Sequence, residues 1–167
     1  PFYLENALRV KPAFSGLIIA SSTLAAATIS FNYARLRRRM PFALIFTLAF
    51  ALLSAGYLLV GLAFNVWTVV PALMLSGSGA GLTMPNANLW LMHEAPEQIR
   101  GKLMGGMTAS IFIGQFVSPL LITPVRDGFN TSILFELLAV PTLFASIFFF
   151  LFNRRHSLSP LPGKVRR

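Results

Sequence analysis

A chain of 167 residues that is 55% apolar and only 11% charged, with a mean hydropathy of +0.69, is not composed like a water-soluble domain, in which roughly a quarter of the residues are charged. Its net charge of +9 comes from basic residues set between and after apolar stretches rather than along one stripe, which argues against a nucleic-acid-binding face. Cysteine is absent, so disulfides are excluded as well.

Five long apolar stretches follow one another, at about Ala13–Ala34, Met40–Phe64, Val66–Met92, Leu103–Val125 and Asn130–Phe152. Each is long enough for the hydrocarbon core of a bilayer, which takes about 20 helical residues. In lipid a single segment satisfies its backbone only as a helix. The sequence therefore predicts an all-α, polytopic membrane protein with five transmembrane helices. Residues 1–12 form an external segment, and 153–167 a basic cytoplasmic tail expected to be disordered. The chain starts at Pro1 with neither an initiator Met nor a leader and cleavage site, and reads as a C-terminal piece of a longer protein.

In the first span Ser22, Ala26 and Ser30 recur at intervals of four, a small-residue face on which another helix can approach closely. The break after it carries Arg35, Arg37, Arg38 and Arg39, a topology anchor suited also to anionic lipid headgroups. The second span has Phe42, Phe46 and Phe50 on one face and little polarity at its centre, as expected of a helix at the rim against acyl chains.

The third span differs. Ser76, Gly79, Thr83, Asn86 and Trp90 share one face, and Gly77, Gly81, Pro85 and Asn88 a neighbouring one. Pro71 and Pro85 remove backbone donors, and the glycines between them loosen the helix. Asparagines and a broken ladder are costly in lipid unless they line a cavity or bond to another helix. Both readings are open for Asn86 and Asn88, and the face as a whole points to a cavity. The adjacent His93 and Glu94 close the span; they point about 100° apart and make a poor metal pair.

The fourth span places Gly106, Ser110, Gly114 and Ser118 at successive intervals of four, with Gln115 beside them, which predicts helix packing. The fifth carries Phe135, Phe144, Phe148, Phe149, Phe150 and Phe152 and is also expected at the rim. Its Glu136 is the one acid well inside a span, a candidate for proton coupling, although a snorkelling or locally paired carboxylate fits its place near the interface better. Asn130-Thr131-Ser132 matches a glycosylation sequon but lies too close to the membrane for that use.

Basic residues set the orientation. Arg35, Arg37, Arg38, Arg39, Arg100, Lys102, Arg154, Arg155, Lys164, Arg166 and Arg167 fall on one side, and only Arg9, Lys11 and Arg126 on the other. The positive-inside rule makes the first side cytoplasmic, with the N-terminus outside and the C-terminus inside.

This arrangement resembles the last five helices of a major facilitator superfamily transporter. Two breaks carry the likeness. His93–Gly105 includes Glu97, Arg100, Gly101 and Gly105, similar to a cytoplasmic Glu-x-x-Arg-Gly-x-x-x-Gly segment of that family. Ser30–Pro41 resembles a degraded Gly-x-x-x-Asp-Arg-x-Gly-Arg-Arg loop, in which Arg35, Arg38 and Arg39 match while Ser30, Ala34 and Arg37 replace the Gly, Asp and Gly. The GQFVSPLL and PNANLW stretches are similar to bacterial drug- and sugar-efflux members. The resemblance implies a twelve-helix fold in two six-helix halves, of which this chain supplies helices eight to twelve, with the ninth and twelfth at the rim and the tenth at the central cavity.

It further implies a secondary active transporter that exports small organic molecules by alternating access, coupled to a proton or sodium gradient, in a bacterial inner membrane. Its substrate cavity is expected at Ser76, Thr83, Asn86, Asn88, Trp90 and Gln115. Arg35, Arg38, Arg39, Glu97, Arg100 and Gly101 are expected at a cytoplasmic gate, and Gly77, Gly81, Gly106, Ser110, Gly114 and Ser118 in helix packing. Partners are lipid, substrate, the coupling ion and the missing N-terminal half; no cofactor or metal is expected. The alternative is a non-transporting structural or assembly subunit. A cavity beside Asn86 favours the transporter, and sealed asparagines favour the assembly subunit. No Walker loop, HExxH, GxSxG or Cys/His cluster supports an enzyme.

Overall fold

The computed structural model describes residues 12–63, 65–128 and 131–158. Its helices are α1 (Pro12–Phe31), α2 (Tyr33–Arg37), α3 (Phe42–Gly61), α4 (Val66–Glu94), α5 (Arg100–Gly128) and α6 (Thr131–Leu158), with no strand among the described residues. All but the short α2 are long and apolar enough to cross a membrane. Residues 1–11 of the external segment, Asn130 of the sequon and residues 159–167 of the tail lie outside the described residues. Residues 153–158 of the expected tail belong to α6.

Local chemistry sets the helix ends. Pro41, extended at ψ 159°, fixes the chain direction from which α3 starts. Asn65 caps α4, its side chain accepting the Thr68 N–H at 3.0 Å. Ala95, driven extended (ψ 126°) by the following Pro96, ends α4. At Asn32 the first span breaks into α1 and α2, and the Asn32 amide donates to the Thr28 carbonyl at 2.9 Å.

Four long helices are packed side by side in the order α1, α4, α3, α6. Their direction follows from the register of contacts. Ser22 lies against Gly77 and Ala26 against Gly81, so α1 and α4 run parallel. Gly56 meets Ser76 while Phe42 meets Trp90, so α3 is antiparallel to α4. Ser54 bonds to Ala139 and Ser146 to Thr47, so α6 is antiparallel to α3. The Arg35–Arg39 run and the C-terminal end of α6 therefore share one end of the bundle.

Glycine makes the α1–α4 and α3–α4 seams possible. A Cβ on Gly77 would strike the Ser22 carbonyl, and one on Gly81 the Ala26 carbonyl. A Cβ on Gly79 would come within 2.5 Å of the Ala49 carbonyl. Such close backbone approach is how helices gain dispersion contacts in lipid, where no hydrophobic force drives them together. The Ser22–Ala26 face expected to pack does so.

One expectation for the spans is corrected, and one finds no partner helix within this chain. The second span is not at the rim: α3 lies between α4 and α6, and its Phe42 and Phe46 are buried. Phe46 stacks on Phe149 at 4.8 Å and tilts against Trp90 at 5.7 Å. Phenylalanine fits acyl chains and helix interfaces equally well, so composition could not tell them apart. In contrast, the fourth span, expected to be packed, is the open one. None of its membrane-spanning window is buried in α5, and a Cβ on Gly106 or Gly114 would meet nothing within 4 Å.

Candidate functional site

The prolines of α4 supply the first polar feature. Pro85 has no N–H, so the Gly81 carbonyl one turn earlier loses its helical donor. Ser30 of α1 fills that place, its hydroxyl donating to the Gly81 carbonyl at 2.6 Å. A small residue expected only to pack therefore also repairs a broken ladder in the neighbouring helix.

One turn further along, the asparagine of the PNANLW stretch is enclosed. Asn86 has no exposed surface. The Tyr33 hydroxyl donates to its Oδ1 at 2.9 Å, and its Nδ2 donates to the Phe42 carbonyl at 3.0 Å. Tyr33 lies beyond the end of the span Phe14–Phe31, and burial holds its hydroxyl above the ordinary tyrosine range, in the form that donates. Asn86 thus ties α2, α3 and α4 together around the cluster Tyr33, Ile45, Ala49 and Leu82.

The expected cavity residues do not converge on one open space. Ser76 is buried against Gly56, its hydroxyl turned back to the Leu73 carbonyl at 3.0 Å. Thr83, half-buried, donates to the Gly79 carbonyl of its own helix. Asn88 is half-buried, and Gln115 is exposed on α5. Asn86 itself belongs to a helix junction. The face chosen for polarity is the one turned to α3, because small residues that admit a substrate equally admit a neighbouring backbone.

Trp90 borders a groove. Between α3, α4 and α5 lies a hollow of about 340 Å³, lined by Phe46, Ala87, Trp90, Leu91, Leu103 and Met107, with Glu94 on its wall. Its lining is almost wholly apolar. Trp90 also stacks on Phe42 at 5.8 Å, with ring planes 2° apart, and lies 6.2 Å from both Phe149 and Phe152.

The expected gate residues are spread around the same end. Arg35, Arg38, Arg39, Glu97 and Gly101 are exposed, and Arg35 donates to the Asn32 side chain at 3.3 Å. Arg100 is half-buried and turns back to the Ala95 carbonyl at 3.3 Å. His93 and Glu94 pair with each other at 3.7 Å on the surface. Arg37, which departs from the family loop, is also engaged: its guanidinium sits 3.7 Å over the Phe42 ring and donates to the Met40 carbonyl. Glu136 is half-buried near the start of α6. Ser110 turns its hydroxyl to the Gly106 carbonyl of its own helix, while Gly114 and Ser118 face a hollow toward Leu134, Leu137 and Leu138 of α6.

Sequence reasoning missed Tyr33, Ser54 and Ser146. The hydroxyls of Ser54 and Ser146 cross the α3–α6 seam to the Ala139 and Thr47 carbonyls, each at 2.9 Å. A lone serine in the middle of a Phe- and Leu-rich span was the available signal. Among the described residues no group of three or more His, Cys, Asp or Glu could hold a metal ion.

A family model described as the Major Facilitator Superfamily matches residues 1–167. The chain belongs to the Major Facilitator Superfamily. It is an integral membrane protein of a family of transporters, and its five spans represent part of that fold. No curated protein matches the chain. As a superfamily member the chain is read as transport machinery, and its helix seams as the framework on which a translocation path is built.

Proposed function

We propose that this chain is the helix-eight-to-twelve portion of a secondary active transporter. The transporter exports small organic molecules by alternating access, driven by a proton or sodium gradient. The family match over residues 1–167 carries the reading. The contrast between a tightly bonded set (α1, α3, α4, α6) and an open α5 supports it, since an open helix offers surface for the partner half. The path then runs along the α4–α5 side, where Trp90 and Glu94 line the apolar groove. Asn86 acts in this reading as the tie that holds α4 to α2 and α3. The Arg35–Arg39 end faces the cytoplasm of a bacterial cell, and Glu136 is the carboxylate available for proton coupling.

The test is flux. The natural full-length protein, reconstituted in vesicles with an imposed proton or sodium gradient, is expected to move a small organic substrate against its concentration gradient. An ionophore that dissipates the gradient abolishes that movement. Trp90→Ala is expected to weaken it while insertion stays normal. Unaltered flux in Trp90→Ala removes the groove from the path.

A second reading, a non-transporting assembly subunit, is favoured by one observation: Asn86 is sealed with both its polar ends used. Absence of gradient-driven flux for any substrate, together with stable association with other membrane helices, decides for it.

A further inference from the structure

The arginine-rich end contains a groove that the transport reading does not use. It measures about 380 Å³ and is lined by Arg37, Phe42, Leu89, Met92 and His93. Its two lips differ in kind. Leu89 and Met92 expose more than two-fifths of their surface along α4, an apolar wall open to the bilayer. Arg37 lines the other side, and Arg35, Arg38 and Arg39 neighbour it in the chain; none of the four has a carboxylate partner among the described residues. Glu94 is the nearest acid in sequence to the groove's own lining, and it pairs with His93. The Phe42 ring orients the Arg37 guanidinium from one side, and its Nε is buried without an acceptor.

An arginine without a carboxylate partner beside an apolar wall, with three more guanidiniums next to it in the chain, matches an amphiphile whose head is an oxyanion and whose tail is hydrocarbon. A soluble phosphate satisfies only the upper lip. We propose that this groove holds an anionic phospholipid, its phosphate on the Arg35–Arg39 run and an acyl chain along Leu89 and Met92. The site rests on membrane embedding and not on the direction or substrate of transport.

The test uses the natural full-length protein in bilayer discs of phosphatidylcholine containing a minority of phosphatidylglycerol, with retained lipid counted by native mass spectrometry. Phosphatidylglycerol is expected to be enriched, and Arg37→Gln/Arg38→Gln/Arg39→Gln to lower its retention by about tenfold or more. Lys102→Gln/Arg154→Gln/Arg155→Gln removes equal charge at the same end and is expected to leave retention near the parent's. Equal loss in both variants overturns the site in favour of general surface charge. Because the arginine run also anchors topology, Leu89→Gln/Met92→Gln provides an arm that leaves every charge in place. It is expected to reduce lipid retention several-fold, and unchanged retention overturns the acyl-chain contact. Displacement of the lipid by millimolar inorganic phosphate overturns the choice of a lipid over a free anion.

Discussion

A single hydroxyl bridges the α1–α4 seam. Ser30 donates to a carbonyl that Pro85 has left without a donor. Interhelical hydrogen bonds in membranes average roughly 0.6 kcal/mol and reach about 1.7, and this one lies at the upper end because its acceptor has no helical alternative. Ser30→Ala is expected to destabilise the protein by about 1 kcal/mol. In a Pro85→Ala background the restored N–H occupies Gly81, so the same Ser30→Ala change should cost almost nothing. Denaturant unfolding of the four proteins measures the coupling, and additive losses refute the repair. At Asn86 the argument is similar. Asn86→Leu and Tyr33→Phe should each lower the unfolding temperature, and the double variant should lose less than the sum, because both remove one bond. The sequence made Asn86 conspicuous but not its partners. Tyr33 lies 53 positions away, beyond a turn at Asn32 that the apolar pattern does not mark.

Among the elements, the spans themselves were legible and their neighbours were not. Length and hydropathy mark five crossings because lipid imposes one solution on the backbone. Which face meets which helix depends on partners distant in the chain, so one face expected at lipid is buried and one expected to pack meets no helix of this chain. The Phe42–Phe50 face is buried against Trp90 and Phe149, whereas the Gly106–Ser118 face is open. Both outcomes have the same cause. Large aromatic and small apolar residues are each compatible with lipid and with a helix, and only register decides. The glycines of α4 provide the check. Gly77→Val and Gly81→Val force side-chain atoms into the α1 backbone and should cost about 1–3 kcal/mol each. Gly106→Val, with nothing within 4 Å, should change this chain's stability by less than about 0.5 kcal/mol. A loss at Gly106 as large as at Gly81 would reveal a further helix on that face.

For the molecule as a whole, family and architecture could be read from span number, basic loops and two loop signatures, and the match over residues 1–167 bears out the superfamily. The substrate face could not, since small residues that admit a substrate equally admit a neighbouring helix. Orientation makes a separate prediction. The Arg35–Arg39 run and the C-terminal end of α6 share one end of the bundle, and we expect that end to be cytoplasmic. Arg38→Glu with Arg39→Glu should expose the first loop to protease added outside intact cells. Unchanged protection would show that other charges hold the topology.

The carbonyl that Ser30 covers also dictates an order of events. Pulling α1 away from α4 would strip that oxygen of its donor, a loss of about 1 kcal/mol, as for Ser30→Ala. The α4–α5 groove is lined almost wholly by apolar side chains, so parting there strands far less polarity. Thermal motion should therefore unzip this protein from the tryptophan side first, leaving the serine-latched pair to travel as a single plank.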